Sequence, residues 1–149
     1  MVGAYPGHAF EGKFHGTGHT ITVNYGSSES NITTVYTAPF LYVNGGTVDG
    51  LIVDGSIYTA AKFAAGFMGR AEGTTSITNC RSSVIINSSV EGDGTHGGFV
   101  ADIQDGATTI AGCVFNGSLL GSATHSFGSL PKWLSLPRYQ KQFLHRFNG

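Results

Sequence analysis

The chain has 149 residues and a formal net charge of −1, with 40% hydrophobic residues, 11% charged residues and 23 glycines. The length suits a single domain, and the near-zero charge excludes an electrostatic reason to expect nucleic acid or an anionic membrane as partner. Apolar residues recur in every block of ten, which excludes a disordered chain, and no run approaches the ~20 apolar residues that a membrane span requires.

Four segments of the chain share one pattern of apolar residues. They run from Phe10 to Tyr25, from Ala38 to Tyr58, from Ala64 to Val90 and from Gly97 to Gly121. In each segment apolar and polar residues alternate over short stretches that end at Gly or Asn, which indicates strands joined by tight corners. The third and fourth segments are the most alike, because GFMGRAEGTTSITNC and GFVADIQDGATTIAGC differ by one inserted residue. Periods of this size are typical of stacked repeats.

Superposition of the segments produces four columns of like residues. These columns are Phe40, Phe67 and Phe99; Val48, Ile77 and Ile110, with Ile21 from the first segment; Leu51, Cys80 and Cys113; and Ile57, Ile86 and Leu119. A coil that advances by one strand spacing per repeat requires such columns, because each inward residue lies ~4.8 Å above its equivalent in the coil below. We therefore predict an all-β fold over residues 8–125, a right-handed parallel β-helix (solenoid) of about four coils with three short strands per coil. Differences in repeat length are expected in loops such as 91–95.

The first segment also resembles a known sequence pattern. FEGKFHGTGHTITV is similar to the F-x-G-x-F-D-G-N-G-H-T-I opening of many bacterial cell-surface β-helix proteins, with His15 in place of Asp and Thr17 in place of Asn. GFMG with TSITNC, and GGFV with TTIAGC, resemble the GLUG-type repeats of the same group.

The resemblance implies a non-catalytic β-helical module of a larger extracellular or cell-surface bacterial protein, used for adhesion or for binding a polysaccharide or cell-surface glycan. The group also contains accessory domains of carbohydrate-active enzymes. A glycoside hydrolase, a polysaccharide lyase or a fragment of one is therefore an alternative, and a structural spacer is another. The N-terminal MVGAYPGHAF has no leader pattern, which leaves a cytoplasmic protein or a piece of a secreted protein whose leader lies elsewhere, and the resemblance implies the second.

Residues 126–149 do not continue the repeat. From Pro131 the composition changes to Leu, Trp, Phe, Arg, Lys and Gln, and no Asp or Glu follows Asp105. A basic amphipathic helix is predicted from about Pro137. It would cap the open end of the β-helix or serve end-to-end self-association, since an uncovered end exposes strand edges and core. The alternatives are a membrane-surface or anionic-ligand role and a non-native end.

Two carboxylates are the candidates for catalysis. Glu72 and Asp105 precede the aligned glycines Gly73 and Gly106, so adjacent coils would place the two acids in one column, within ~5–6 Å of each other. That separation suits a retaining glycosidase, and it also suits Ca²⁺. The simpler interpretation is a solvated pair of turn acids, and only the enzyme alternative makes Glu72 and Asp105 catalytic.

A second pair of acids does not build a site. Asp49 and Asp54 should point outward from the second segment, but their equivalents in later segments are uncharged, beginning with Thr78 and Ser83. A polysaccharide lyase of this fold would need several acids around Ca²⁺ and a nearby base, and only Arg81 stands in a suitable position. The pattern therefore does not favour the lyase.

The cysteines and histidines are predicted to be structural. Cys80 and Cys113 should stack inward as free thiols, because neighbouring parallel strands point their Cβ atoms in the same direction, a poor geometry for a disulfide. Three histidines lie near the N-terminus: His8, His15 and His19. With only Glu11 nearby they do not complete a ligand set. We predict no metal site and no cofactor, with Ca²⁺ between Glu72 and Asp105 as the alternative.

Tyrosines are the best candidates for ligand binding. Tyr42 and Tyr58 each neighbour an inward residue and should therefore point outward, and Tyr25 and Tyr36 are expected to be exposed near loops. Exposed tyrosines on a rigid ribbed surface stack on sugar rings and offer a hydroxyl to a polar partner. Together with the outward Arg70, Tyr42 and Tyr58 are the predicted ligand-binding residues, and ordinary surface packing is the alternative.

Overall fold

The computed structural model describes residues 1–91 and 94–121. Of these residues 55% are strand and 3% are helix, and the parallel sheets form a β-solenoid of about three turns. The predicted all-β parallel β-helix is thereby confirmed. It has about three turns rather than about four, because the first segment contributes only two strands to an incomplete turn. The predicted tail, residues 126–149, and its helix lie outside the described residues.

The described residues form a short 3₁₀-helix, Pro6–His8, and sixteen strands. In chain order the strands are β1 (Lys13–His15), β2 (Thr20–Tyr25), β3 (Tyr36–Thr37), β4 (Phe40–Asn44), β5 (Thr47–Asp49), β6 (Ile52–Thr59), β7 (Phe63–Ala65), β8 (Met68–Glu72), β9 (Thr75–Thr78), β10 (Arg81–Ser82), β11 (Ile85–Ser88), β12 (Thr95–Gly97), β13 (Val100–Ile103), β14 (Thr108–Ala111), β15 (Val114–Phe115) and β16 (Ser118–Gly121).

These strands pair into four parallel sheets. Sheet A contains β4, β8 and β13, and sheet B contains β1, β5, β9 and β14. Sheet C contains β2, β6, β10, β11, β15 and β16, and sheet D contains β3, β7 and β12. A complete turn passes through sheets D, A, B and C in that order, so it has four strand positions where three were predicted. The additional position is sheet D, whose short strands form where the sequence pattern indicated only a corner between repeats.

The strand ladders confirm the stacking of like residues in three predicted columns. The aligned sets are Val48, Ile77 and Ile110 in sheet B, and Ile57, Ile86 and Leu119 in sheet C. The third column, Leu51, Cys80 and Cys113, lies at the corner between these sheets. Hydrogen bonds from a backbone N–H to a cysteine sulfur link its members. The Leu51 N–H donates to Cys80 Sγ and the Cys80 N–H to Cys113 Sγ, each over 3.4 Å.

The phenylalanine column is only partly correct. Phe67 and Phe99 stack with their ring centroids 5.1 Å apart, but Phe40 pairs with Met68. The reason is the length of the corner from sheet D to sheet A. Two residues join Thr37 to Phe40, whereas three residues join Ala64, the ladder partner of Thr37, to Met68.

The assignment of Ile21 to the Val48 column is also wrong. Phe14 pairs with Val48 in sheet B, while Ile21 pairs with Val53 in sheet C and is 37% exposed. The corner between β1 and β2 has four residues, and the corresponding corner between β5 and β6 has two. Phe14 in β1 already holds the sheet B position of the first turn, so Ile21, which follows this corner, falls in sheet C.

The main apolar core runs through the turns. Its fully buried large side chains come from the second and third segments: Phe40, Val43, Val48, Leu51, Val53, Ile57, Phe67, Met68, Ile77, Val84 and Ile86. Gly55 in β6 lets neighbouring turns approach closely, because a methyl group at this position would overlap the carbonyl oxygen of Val23. Its φ of +107° also lies in a region that favours glycine.

Candidate functional site

The most chemically varied surface lies on sheet A. Tyr42 pairs with Arg70, and Arg70 pairs with Asp102, so these three residues form one column across three strands. Asn44 pairs with Glu72 two positions further along. We refer to these five residues as the sheet A face. The register brings together two predicted ligand-binding residues, Tyr42 and Arg70, as neighbours.

Tyr36, on the adjoining sheet D, supports this face. Its ring packs edge-on against the Tyr42 ring, with centroids 5.2 Å apart, and stacks on the Phe63 ring at 4.8 Å. Its hydroxyl donates a hydrogen bond to Asp102 Oδ2 over 2.8 Å. The predicted exposure of Tyr36 is wrong, because the residue is only 8% exposed. No sequence signal could reveal the bond to Asp102, which lies 66 residues away.

Small residues make room for the Tyr36 ring. Ala38, Ala65 and Ala101 form a second buried cluster, separate from the main core, with Phe63 packed against it. Alternation along β7 and β13 places Ala65 and Ala101 on the opposite face of the strand from the core residues Ala64 and Val100 beside them. In sheet A, a methyl group at Gly69 would lie 3.2 Å from Tyr36 Cβ. Sheets D and A can therefore hold an aromatic ring between them outside the main core.

Burial and the neighbouring carboxylate change the acidity of Tyr36. Burial, followed by the hydrogen bond to Asp102 and the charge of that residue, raises the pKa of Tyr36 from 10.0 to about 12. Arg70 acts in the opposite direction on the Tyr36 pKa, but its effect is smaller. Tyr36 is therefore a neutral hydrogen-bond donor over the whole physiological range.

Arg70 and Glu72 form an ion pair on the sheet A face. The two side chains are 29% and 31% exposed. Burial lowers the pKa of Arg70, but the hydrogen bond to Glu72 and the charge of Glu72 outweigh it, so the Arg70 pKa is raised overall. Asp102 is 3% exposed and accepts a second hydrogen bond from Gln104 Nε2. Both carboxylates on this face therefore already have donors from the protein.

The candidate acids Glu72 and Asp105 are not ladder partners. Ala71 pairs with Ile103 and Thr75 with Thr108, so three residues intervene in one turn and four in the next. The inserted residue seen in the sequence lies in this corner. In the lower turn Glu72 alone lies between Ala71 and the corner glycine Gly73, whereas in the upper turn Gln104 and Asp105 both lie between Ile103 and Gly106. Gln104 and not Asp105 therefore follows Ile103 in the register of Glu72, and Asp105 is exposed in the lengthened corner.

The structure separates Tyr58 from the sheet A face. Tyr58 lies in sheet C, where its ladder partner is Asn87, so it does not act together with Tyr42 and Arg70. The predicted outward orientation of Tyr25 is wrong. Tyr25 pairs with the inward Ile57 and packs against the main core, and this burial raises its pKa.

The second-segment acids behave as predicted. Asp49 pairs with Thr78, whose hydroxyl donates to Asp49 Oδ1 over 3.0 Å, so no acidic column forms. His15 Nδ1 lies 3.8 Å from Asp49 Oδ2, and His19 Nδ1 contacts Thr17 and a backbone carbonyl instead. Within residues 1–91 and 94–121, no group of three or more His, Cys, Asp and Glu side chains is arranged to hold a metal ion.

The two cysteines are free and buried, as predicted. Each thiol donates to a carbonyl in its own turn, Cys80 Sγ to Thr78 O over 3.1 Å and Cys113 Sγ to Ala111 O over 3.3 Å. The hydrogen bond with Cys80, together with burial, raises the pKa of the Cys113 thiol far above its usual range. Cys113 therefore lacks the thiolate character that a nucleophile requires.

In the part of the chain that the structure describes, no helix has the length and apolar character needed to cross a membrane. The chain matches no protein-family model, no curated protein and no solved structure.

Proposed function

We propose that this chain is a non-catalytic β-helical module that binds a polysaccharide or cell-surface glycan, and that it serves adhesion within a larger extracellular or cell-surface bacterial protein. The observation that carries the proposal is the ladder pairing of Tyr42 with Arg70 on sheet A. An aromatic ring beside fixed hydrogen-bond donors and acceptors suits a sugar, which has an apolar ring face and polar hydroxyls.

The rigidity of the face supports a binding role. Tyr42 is held by the Tyr36 ring, and Arg70 is held by Glu72, so both side chains keep their orientation before a ligand arrives. Preorganised groups lose less conformational entropy when they bind. The bacterial, extracellular setting is supported by the resemblance of residues 8–125 to GLUG-type β-helix proteins.

The same face gives less support to a hydrolase. A retaining glycosidase needs two carboxyl groups about 5–5.5 Å apart, one acting as acid and the other as nucleophile. Glu72 is engaged by Arg70, and Asp105 lies in a corner lengthened by one residue. A module that binds a polymer without cleaving it does not need a free carboxylate at Glu72 or Asp105.

Affinity electrophoresis and calorimetry with a panel of soluble polysaccharides test the proposal. Tyr42→Ala should weaken binding by about tenfold, equivalent to about 1.4 kcal/mol, because it removes the stacking surface. Tyr58→Ala is the matched control, since it removes the same side chain from sheet C. Equal weakening by both changes, or binding of no polymer at all, would contradict a glycan-binding face on sheet A.

Assays for new reducing ends and for unsaturated products test the enzyme alternative with the same polymers. We expect no turnover. Turnover that disappears in Glu72→Gln or Asp105→Asn would replace the binding module with a carbohydrate-active enzyme.

A further inference from the structure

The charges around the sheet A face compensate one another. Arg70 is the only Lys or Arg within the described strands of sheets A and D, and its guanidinium is paired with Glu72. Lys62, just before β7, places its ammonium group 5.5 Å from the centroid of the Phe63 ring. Asp102 is buried and accepts hydrogen bonds from Tyr36 and Gln104. These two cations and two acids together carry no net charge.

An exposed negative charge follows sheet A strand β13. Asp105 lies in the corner that follows β13, directly after Gln104, and is exposed. An acidic polymer would therefore meet Asp105 at one end of the face. It would also have to displace Glu72 from Arg70 to gain an ion pair, and replacing one carboxylate with another yields little net interaction.

We propose that the polymer recognised by the sheet A face is built of uncharged sugars and not of uronic acids or sulfated sugars. This inference rests on the proposed glycan-binding function and specifies its ligand class. Tyr42 provides the ring for stacking. The Arg70–Glu72 pair and Asn44 provide donors and acceptors for hydroxyl groups in a fixed arrangement, which suits neutral sugars because these offer many hydroxyls and no charge.

A matched pair of probes tests the ligand class. Galactan and polygalacturonate share the galacto ring configuration, but the second carries a carboxylate on each unit. Calorimetry should show that galactan binds at least about tenfold more tightly than polygalacturonate. The affinity for galactan should change by less than about twofold between low and high NaCl, because a neutral polymer makes no charge–charge interaction that salt could screen. Neutral glucan and xylan extend the comparison should galactan have the wrong stereochemistry.

Releasing Arg70 should narrow the preference for the neutral polymer. Glu72→Gln leaves the guanidinium without its carboxylate, so polygalacturonate binding should strengthen by about fivefold or more at low salt and lose this gain at high salt. Glu29→Gln is the control, because it removes one exposed carboxylate elsewhere and changes the net charge equally. Circular dichroism of both variants establishes that they fold. The salt comparison with the wild-type protein tests the ligand class even if a variant does not fold.

The outcomes separate the two proposals. Tighter binding of polygalacturonate than of every neutral polymer by the wild-type protein, with strong salt dependence, would overturn the neutral ligand class but leave a glycan-binding module. Binding of no polymer of either kind would overturn the proposed function and this inference with it. An equal gain in Glu72→Gln and Glu29→Gln would show that net charge, and not the Arg70–Glu72 pair, controls the preference.

Discussion

Tyr36 donates its phenolic hydrogen to Asp102 over 2.8 Å, although 66 residues separate the two in the sequence. Tyr36 belongs to sheet D in one turn, and Asp102 belongs to sheet A two turns later. Both residues are buried, and a buried carboxylate is costly unless donors surround it. This contact therefore joins sheets D and A and spans the intervening turn, to which Arg70 belongs. The Tyr36 ring also packs against Tyr42.

Removing the Tyr36 hydroxyl should reduce stability. Tyr36→Phe keeps the ring that packs on Tyr42 and Phe63 but removes a hydrogen bond to a carboxylate. We expect the free energy of unfolding to fall by about 1.5–3 kcal/mol in urea titrations. Tyr5→Phe is the control, because Tyr5 is 54% exposed and should change stability by less than about 0.5 kcal/mol. The same stability in both variants would show that the bond to Asp102 contributes nothing.

The raised pKa of Tyr36 predicts a loss of stability at alkaline pH. Because the folded-state pKa is raised from 10.0 to about 12, the folded protein keeps its proton where the unfolded chain has lost it. The contribution of Tyr36 is therefore complete below pH 10 and declines as the pH rises toward about 12.

Urea titrations at a series of pH values from neutral to about 12 measure this decline. The wild-type protein should lose more stability than Tyr36→Phe across the window above pH 10. In Asp102→Asn, tyrosinate absorbance should show Tyr36 ionising at a lower pH than in the wild type, because the negative neighbour is gone. Parallel pH profiles in the wild type and Tyr36→Phe would contradict the assignment.

Gly55 should not tolerate a side chain. In Gly55→Ala the new methyl group would overlap the carbonyl oxygen of Val23, and φ of +107° would strain any other residue. We expect a loss of about 1–3 kcal/mol in the free energy of unfolding. Gly7→Ala is the matched control, because a methyl group at Gly7 has no atom within 4 Å. A stable Gly55→Ala would mean that neighbouring turns can separate at this point without cost.

The two thiols should be protected in the folded protein. Both thiols are buried, and the pKa of Cys113 is raised; the hydrogen bond with Cys113 lowers the pKa of Cys80, so burial alone protects Cys80 from an alkylating reagent. We expect negligible modification in native buffer, and modification of both cysteines once urea unfolds the chain, measured by mass spectrometry. Rapid labelling of Cys113 under native conditions would contradict its position in the core.

The sequence predicts the alignment of residues well where corners keep their length. Val48, Ile77 and Ile110 could be aligned because the corner that follows each of their strands has two residues in every turn, and like residues stack in a solenoid. Phe40 was misplaced because the corner before it is one residue shorter than its equivalent, and Ile21 was misplaced because Phe14 holds the sheet B position of the first turn. A change of one residue reverses the face to which a strand residue points, so small differences in corner length decide these positions.

The sequence alone determined the fold class of this protein, its repeated parallel turns, and the inward columns that hold the turns together. It also indicated that Tyr42 and Arg70 face outward, because alternation reports the face of a strand to which a side chain belongs. Only the tertiary structure decided which outward residues become neighbours. Tyr42 lies beside Arg70, Glu72 is paired with Arg70 and not with Asp105, and Tyr36 is buried against Asp102. These contacts join different turns, and their register depends on every corner length between them.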